Sequence, residues 1–318
     1  MRRAAWASPL VLLSFAAIYL IWGSTFLAIR LAIETIPPIP MAGVRFLAAG
    51  ALLFPIAYLS GDRRGDRIRP VHWRSALIIG TLLPAGGTGG ISFAEQHVAS
   101  GIAALMMTSI PLWMAIFAHL GRVQRLGGVG IASLLVGFAG VGLLLGPGAG
   151  VPSSPLWLCV TLIAPLSWSA GSIYARGAPK PGRALLGSAM ELLCGGVVLC
   201  VVAVPLGEWG RVRFAAISPL SAGALAYLAV AGSLVAYSAY VFLLRSVSPR
   251  AVSSYAYVNP LVALLLGWIF LGERITPLTL GAAALICVAV AALLASAGRP
   301  LRNATEEKTA AEPEMASA

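Results

Sequence analysis

Residues 253–271 read SSYAYVNPLVALLLGWIFL, an apolar stretch whose first third contains two tyrosines, an asparagine and a proline. At 1.5 Å per residue, a helix of this length crosses most of the roughly 30 Å of hydrocarbon in a bilayer. Polar groups at that depth are costly unless they face a cavity or a partner helix. The stretch therefore predicts a membrane helix whose polar third faces protein or a cavity.

The rest of the chain has the composition of a membrane protein. Of its 318 residues, 59% are hydrophobic and only 10% are charged, and the mean hydropathy is +0.89. Apolar runs of about 20 residues, the length of a membrane-spanning helix, recur along the whole chain. We expect an all-α membrane protein with ten transmembrane helices, at about 9–29, 39–59, 75–94, 98–119, 127–146, 155–175, 184–205, 219–242, 251–271 and 277–297.

Several other classes of protein are disfavoured by the same composition. The basic N-terminus could begin a secretory signal, but its apolar run is too long for one, and nine more runs follow. The net charge of +11 lies in short connections rather than on one face, so we expect no nucleic-acid partner. The four cysteines lie inside apolar runs without CxxC spacing, which predicts neither a metal nor a cofactor. No Walker loop or HExxH motif indicates an enzyme.

The basic residues also predict the orientation. Lysine and arginine concentrate on the cytoplasmic side of a membrane. With the N-terminus inside, seventeen of them fall in inside segments and four in outside segments, while Arg45 lies within a run. Both termini are therefore expected in the cytoplasm, and the polar tail is expected to be disordered.

The two halves of the chain repeat each other. WGSTFLAIR at 22–30 matches WSAGSIYAR at 168–176, and SIPLW at 109–113 matches VNPLV at 258–262. Because five helices is an odd number, the second unit enters the membrane from the opposite side, a plan typical of alternating-access carriers. We expect a first repeat at 9–146, a second at 155–297 and a cytoplasmic tail at 298–318.

These motifs resemble a known family. WGSTF, VRFLAAG, GIAALMMTSIPLW and SYAYVNPLVALLLGWIFLGERIT, in this order over about 9–297, resemble the EamA domains of the drug/metabolite transporter superfamily. AEQHVASGIAALMM and SYAYVNP are most similar to its YedA-like exporter branch. The first half departs from the pattern, since it has HLGRVQ where the second has FLGERI.

The resemblance implies a secondary transporter that exports small organic metabolites, such as amino acids or amphipathic drugs, across a bacterial inner membrane. Its partners would be a small-molecule substrate and membrane lipid. A proton is one candidate coupling ion, and both a monomer and a homodimer stay open. A passive channel or a membrane-integral enzyme with an unrecognised site is the alternative. A carrier would saturate, whereas a channel would not.

Polar or irregular positions inside the runs are the candidate site. Tyr255 and Asn259 lie one turn apart on one helix face, beside Pro260, which frees the carbonyl of Ala256. They could face a substrate, or form an interhelical hydrogen bond. Methionine and aromatic side chains suit an adaptable binding wall, and they suit ordinary packing equally well. The predicted substrate-pathway residues are Tyr19, Trp22, Thr25, Arg45, Met106, Thr108, Trp113, Trp168, Glu191, Tyr237, Tyr255 and Asn259.

Glycine and proline predict where helices bend. The third run contains LLPAGGTGGIS, so we expect it to be kinked or unwound, and its counterpart around Gly232 to be milder. The glycines could equally serve only tight packing. The predicted hinge residues are Pro84, Gly86, Gly87, Pro111 and Pro260. GLLLG at 142–146 favours internal packing over a dimer contact.

Arg45 and Glu191 are the two ionisable residues that we predict well inside runs. They have the same sequence separation as Trp22 and Trp168, so they are equivalents in the two repeats. Inversion places them about 10 Å apart in depth, which disfavours a direct salt bridge. We expect Arg45 to support an outer gate or to attract an anionic group of the substrate, with capping of helix carbonyls as the structural alternative. We expect Glu191 to support an inner gate, where it either carries a proton or accepts a structural hydrogen bond.

Overall fold

The computed structural model describes residues 8–59, 67–121, 126–145, 154–247, 249–252 and 254–296. In these ranges all regular structure is helical. The expected loop at 60–66 and the tail at 298–318 lie outside them. The ten helices are α1 (Pro9–Ala32), α2 (Pro38–Leu59), α3 (Pro70–Ala94), α4 (Ser100–Leu120), α5 (Gly128–Leu145), α6 (Leu156–Gly177), α7 (Ala184–Val202), α8 (Pro219–Tyr240), α9 (Tyr255–Leu271) and α10 (Pro277–Ser296).

The prediction of ten apolar helices in an all-α membrane fold is confirmed. Within the described ranges, nine helices are long and apolar enough to span a membrane, and α9 is shorter, at 17 residues. It is shorter than predicted because the chain forms a separate four-residue helix, Pro249–Val252, just before it. The apolar span α8 ends at Tyr240, but the chain remains helical as far as Ser246.

The contacts between helices have the symmetry of the sequence repeat. α1 packs against α8 and α9, while its equivalent α6 packs against α3 and α4. The equivalent helices α2 and α7 pack along each other, as do α5 and α10. Exchanging the two halves leaves this set of pairs unchanged, as a two-fold relation between inverted repeats requires.

Glycines allow the close approach of α2 and α7. A Cβ at Gly43 would lie 2.7 Å from Cys200 Sγ, and one at Gly50 would lie 2.8 Å from Leu193 Cγ. Packing of helices in a membrane relies on such small residues, because lipid tails are as apolar as the side chains they replace. As the residue number rises on α2 it falls on α7 along this contact, so the two helices are antiparallel.

The α5 and α10 contact uses different glycines from the ones predicted. Gly137 and Gly140 face α10, where an added Cβ at Gly140 would lie 2.8 Å from Ile286 Cγ1. Gly142, the first residue of GLLLG, has no atom within 4 Å of an added Cβ, so the internal-packing interpretation is wrong for this residue. Gly146 lies outside the described residues.

One π-helical segment interrupts the third helix of each repeat. In α3 the segment is Thr81–Gly89, which contains Pro84 and three glycines. In α8 it is Leu228–Val235, and Ala236 N–H donates five residues back to Ala231 O. The predicted irregularity of α3 is thus present, but the prediction of a milder counterpart is wrong, because the segments have nine and eight residues. Leu228–Val235 has no proline, which is why its sequence signal is weak.

Candidate functional site

Each π segment is held by the first helix of the other repeat. Ser167 Oγ on α6 donates to Leu82 O at 2.7 Å, and Trp22 Nε1 on α1 donates to Gly232 O at 3.1 Å. A π segment leaves carbonyl groups without a regular intrahelical partner, so these side chains satisfy oxygens that would otherwise be buried alone. In both repeats, therefore, a side chain from the first helix of the other repeat satisfies a carbonyl of the π segment.

The predicted hinge glycines of α3 make close contacts with α6. An added Cβ at Gly86 would lie 2.1 Å from Ser167 Oγ, and one at Gly87 would lie 2.7 Å from Trp168 Cε3. This supports the tight-packing interpretation in the conformation described. The residues also lie in the π segment with Pro84, and their role as hinges stays a prediction.

An aromatic cluster of Trp22, Tyr240 and Tyr255 joins α1, the end of α8 and the start of α9. The Trp22 ring lies 5.4 Å from Tyr240 and 5.2 Å from Tyr255, and the two tyrosine rings lie 5.9 Å apart, edge to face. Such edge contacts are favourable between aromatic rings. One turn before Trp22, Tyr19 Oη shares a hydrogen bond with Ser254 Oγ. The structure thus brings together three of the predicted pathway residues.

Asn259 lies one turn after Tyr255 on α9. Its Oδ1 is buried and has no hydrogen-bond partner, so this oxygen does not make the interhelical bond considered above. Pro260 is buried inside α9. A buried carbonyl oxygen without a donor is unfavourable by about 1–3 kcal/mol, and a bound ligand or water would satisfy it.

Glu191 and Tyr237 lie in the half of the molecule that the sequence predicts to face the cytoplasm. Glu191 is half-buried on α7 and interacts electrostatically with Lys180, in the loop before that helix. Tyr237 Oη on α8 shares a hydrogen bond with Ser188 Oγ, one turn before Glu191. Glu191 also acts electrostatically on Tyr237, so the two predicted residues are neighbours.

Arg45 is 5% exposed in the N-terminal half of α2. Its Nε donates to Ser233 Oγ in the π segment of α8 at 3.4 Å, and Ser233 in turn donates to Leu228 O. The guanidinium lies 5.0 Å from the Phe46 ring, and its Nη1 is buried without a hydrogen-bond partner. An added Cβ at Gly232 would lie 3.3 Å from Arg45 Nη2 and 3.9 Å from Thr25 Oγ1, which places Thr25 beside this site.

The α2 and α7 register also places Arg45 relative to Glu191. Because Gly43 contacts Cys200 and Gly50 contacts Leu193, Arg45 lies level with a residue near position 198. Glu191 is about seven residues from that level, or about 10 Å along the helix axis. The two charges therefore occupy opposite halves of the same helix pair.

Glu95 is a buried charge that sequence reasoning missed. Its position between two apolar runs predicts a short outer loop, but the structure buries it completely at the end of α3, and neither carboxylate oxygen has a hydrogen-bond partner. It interacts electrostatically with Arg30, Arg45 and Glu273. We call these four residues the outer cluster. The available signal was a carboxylate within AEQHVASG, where the connection between two apolar runs is too short to reach far into water.

Glu273 connects the two repeats at the side that the sequence predicts to be outer. From the turn after α9, its carboxylate accepts from Ser100 N at 2.7 Å and from Gly101 N at 3.0 Å, at the start of α4. A carboxylate at a helix N-terminus satisfies unpaired N–H groups and interacts favourably with the helix dipole. The equivalent segment of the first repeat, at 122–125, lies outside the described residues.

The predicted residues of α4 lie mostly in packing contacts. Met106 is fully buried in a cluster with residues of α5, α9 and α10, and Thr108 Oγ1 donates to Ala104 O of its own helix. Trp113 meets the Phe138 ring edge to face, and its Nε1 is buried without a partner. Pro111 follows a break in α4 at residues 108–109. The structure does not bring these residues to the aromatic cluster, and their pathway role stays a prediction.

The described ranges contain no candidate metal site. There, no three His, Cys, Asp or Glu side chains group in a way that could hold a metal ion. The site instead offers an aromatic cluster, one buried cation and two carboxylates at different depths.

Comparison with known proteins gives consistent results. The model of the EamA-like transporter family matches residues 9–146 and 155–295. The uncharacterized inner membrane transporter YedA of Escherichia coli (strain K12) is 41% identical over 278 residues, which cover 86% of this chain and 87% of that protein. The uncharacterized transporter YoaV of Bacillus subtilis (strain 168) is 26% identical, over 88% of this chain and 95% of that protein.

One more distant relative and one solved structure are also similar to this chain. Protein PecM of Dickeya dadantii (strain 3937) is 27% identical over 80% of this chain and 82% of that protein. A solved structure, described only as "Crystal structure of protein", superposes with a TM-score of 0.57 at 20% identity, over 94% of this chain and all of that one. At that identity, the superposition supports the fold alone.

Proposed function

The chain belongs to the EamA-like transporter family, and from this we propose that it is a secondary transporter that exports small organic metabolites by alternating access. The substrates would be amino acids or amphipathic drugs, and the location a bacterial inner membrane. The observation that carries this proposal is the pair of π segments, Thr81–Gly89 and Leu228–Val235, at equivalent places in inverted repeats. Interrupted helices at the repeat interface are where such carriers bind and gate their substrates.

The proposed outer gate consists of contacts between the outer ends of the helices. Ser221 Oγ on α8 donates to Leu31 O on α1 at 2.7 Å, and Ser218 N donates to Thr35 Oγ1 at 3.1 Å. These are few and local hydrogen bonds, so separating α1 from α8 at this end leaves each helix intact. In the proposed mechanism these contacts hold the outer end closed, and alternating access opens it while the inner end closes.

A substrate in the proposed pathway would meet two kinds of surface. The aromatic cluster presents rings that can bind several apolar shapes without specific hydrogen bonds. Arg45 presents a positive charge in the outer half, and Glu191 a negative charge in the inner half. This arrangement suits a zwitterion or an amphipathic cation better than a dianion.

Efflux from loaded cells tests the proposed function. Cells with and without the protein would be loaded with a panel of radiolabelled amino acids and cationic dyes, and the initial efflux rate measured against internal concentration. We expect faster, saturable efflux of at least one compound, which excess unlabelled compound slows. Efflux that rises without saturation would indicate a channel, and no protein-dependent efflux of any compound would contradict the proposal.

Glu191→Gln tests proton uptake at the inner gate. The change keeps the shape of the side chain and removes its titration, so we expect efflux to lose its pH dependence while substrate exchange continues. Both would be measured in reconstituted vesicles with a compound found by the efflux panel. Unchanged pH dependence would exclude proton coupling at Glu191 and leave it a structural hydrogen-bond acceptor.

Two exposed glycines test the proposed orientation, in which both termini are cytoplasmic. Gly177, after α6, and Gly210, between α7 and α8, have no atom within 4 Å of an added Cβ, so cysteine fits at either position. In intact cells expressing a cysteine-free background, we expect Gly210→Cys to react with an impermeant thiol reagent and Gly177→Cys to be shielded. The reverse pattern would overturn the orientation.

A further inference from the structure

The outer cluster contains two buried ionisable side chains of opposite type, Glu95 and Arg45, that are not hydrogen-bonded to each other. Glu95 is fully buried with neither oxygen hydrogen-bonded, and Arg45 Nη1 is likewise buried without a partner. They interact electrostatically, yet no direct hydrogen bond joins them. A carboxylate that is taken out of water without donors is strongly destabilised, so a buried carboxyl in this position favours its neutral, protonated form.

The groups around Glu95 come from several elements. Arg30 on α1 donates through Nη1 to the backbone carbonyl of Glu95, rather than to its carboxylate. Arg45 faces it from α2. Glu273 adds a like charge from the turn after α9, although two backbone N–H groups of α4 already hold that carboxylate. His97, two residues after Glu95, stacks on the Trp157 ring at 3.8 Å.

A cavity lies next to the backbone of Glu95. It has a volume of about 220 Å³ and is lined by Arg30, Ile33, Glu34 and Gln96. Gln96 is the next residue after Glu95, and Arg30 bonds to the Glu95 backbone. The buried carboxyl of Glu95 does not line this cavity, so a proton from the cavity water reaches it only when the packing beside Gln96 loosens.

We propose that Glu95 is a proton-binding site whose ionisation opens the outer end of the molecule. In the closed conformation, a proton from outer water occupies one carboxylate oxygen and Glu95 is neutral. When that proton returns to the outer solution, the carboxylate needs donors, which Arg45 or water provides only after the packing around it loosens. High outer pH therefore favours the open outer end, and low outer pH favours the closed one.

This mechanism gives external protons a role in an exporter. Protonation from outside closes the outer end, which returns the carrier to the conformation in which the next substrate binds from the cytoplasm. Ionised Glu95 also competes with an anionic substrate group for Arg45, so proton binding leaves the arginine available. The proposal rests on the alternating access proposed above, but its test needs no substrate.

The test measures how accessible the outer gate is at different pH values. Ala224 is buried on α8 among α1 residues, so in a cysteine-free background Ala224→Cys reports separation of the two helices at the outer end. Purified protein in liposomes would react with an impermeant thiol reagent from about pH 5 to about pH 8. Because thiolate formation itself depends on pH, each rate is divided by that of the exposed reference Gly210→Cys.

We expect the normalised rate of Ala224→Cys to rise with pH. Adding Glu95→Gln, which mimics the protonated carboxyl, should keep the rate at its low-pH value throughout. The control Arg213→Gln removes an exposed charge at the same end, away from the cavity, and should leave the rise intact. A normalised rate that does not change with pH in the parent protein, or that still rises after Glu95→Gln, would overturn the proposal.

A second variant covers the case in which Glu95→Gln does not fold. Glu95→Asp keeps an ionisable group but moves it by one methylene, so the midpoint of the accessibility curve should shift. A midpoint identical to that of the parent would contradict proton binding at this position. If no compound in the panel showed protein-dependent efflux, the pH dependence of Ala224→Cys accessibility could still be measured. The two proposals are therefore tested independently.

Discussion

Gly195→Ala is expected to lower the yield of folded protein markedly. The added Cβ would lie 2.6 Å from the backbone oxygen of Gly80 and 2.5 Å from Pro84 Cγ. A backbone carbonyl and a proline ring cannot rotate away as a flexible side chain can, so α3 and α7 would have to separate. Overpacking of a tight contact is destabilising by about 1–3 kcal/mol or more, a large part of a typical stability of about 5–15 kcal/mol. The measurement is the yield of monodisperse protein in detergent by size-exclusion chromatography.

Gly142→Ala is the matched control for this prediction. It adds the same methyl group to a membrane helix at a place where no atom lies within 4 Å. We expect a yield equal to that of the parent, and slightly better helix propensity from alanine. If Gly195→Ala matched the parent as well, the close α3 and α7 contact would not be needed for folding.

The fold could be predicted from the sequence because its signals are periodic and redundant. Ten apolar runs of sufficient length require ten helices, since each must satisfy its backbone hydrogen bonds within the membrane. The matched pairs, such as Trp22 with Trp168, then require inversion because the repeat has five helices. Neither step depends on which side chains touch.

The candidate site could be predicted only in part because burial depends on packing that no local pattern specifies. Trp22 and Tyr255 are predictable from their polar surroundings in apolar runs, and the structure brings them together. Met106 has the same kind of signal but lies in a hydrophobic core. Glu95 is the opposite case, since a residue between two runs is expected to be exposed. Its burial follows from the approach of α1, α2 and the turn after α9, which are distant in sequence.

The largest expected effects on transport come from substitutions of Arg45, and even the charge-preserving change Arg45→Lys is expected to be damaging. Lysine keeps the charge but replaces the planar fork of arginine with a single ammonium group. The arginine Nε already bonds to Ser233 Oγ, while Nη1 is available to another acceptor, and one ammonium cannot occupy both positions. A hydrogen bond to a charged group contributes about 1.5–3 kcal/mol, so losing one predicts at least a roughly tenfold lower efflux rate.

The controls for Arg45→Lys separate a transport effect from a folding effect. Arg213→Lys makes the same change at an exposed outer position and should leave efflux unchanged. Arg45→Met removes the charge as well and should reduce efflux further, whereas Ser233→Ala removes only the acceptor of Nε and should have a smaller effect than either. Initial rates would be normalised to folded protein in the membrane. If Arg45→Lys transports as fast as the parent, a point charge is sufficient at this position, and the second guanidinium donor has no part in binding substrate or in pairing with Glu95.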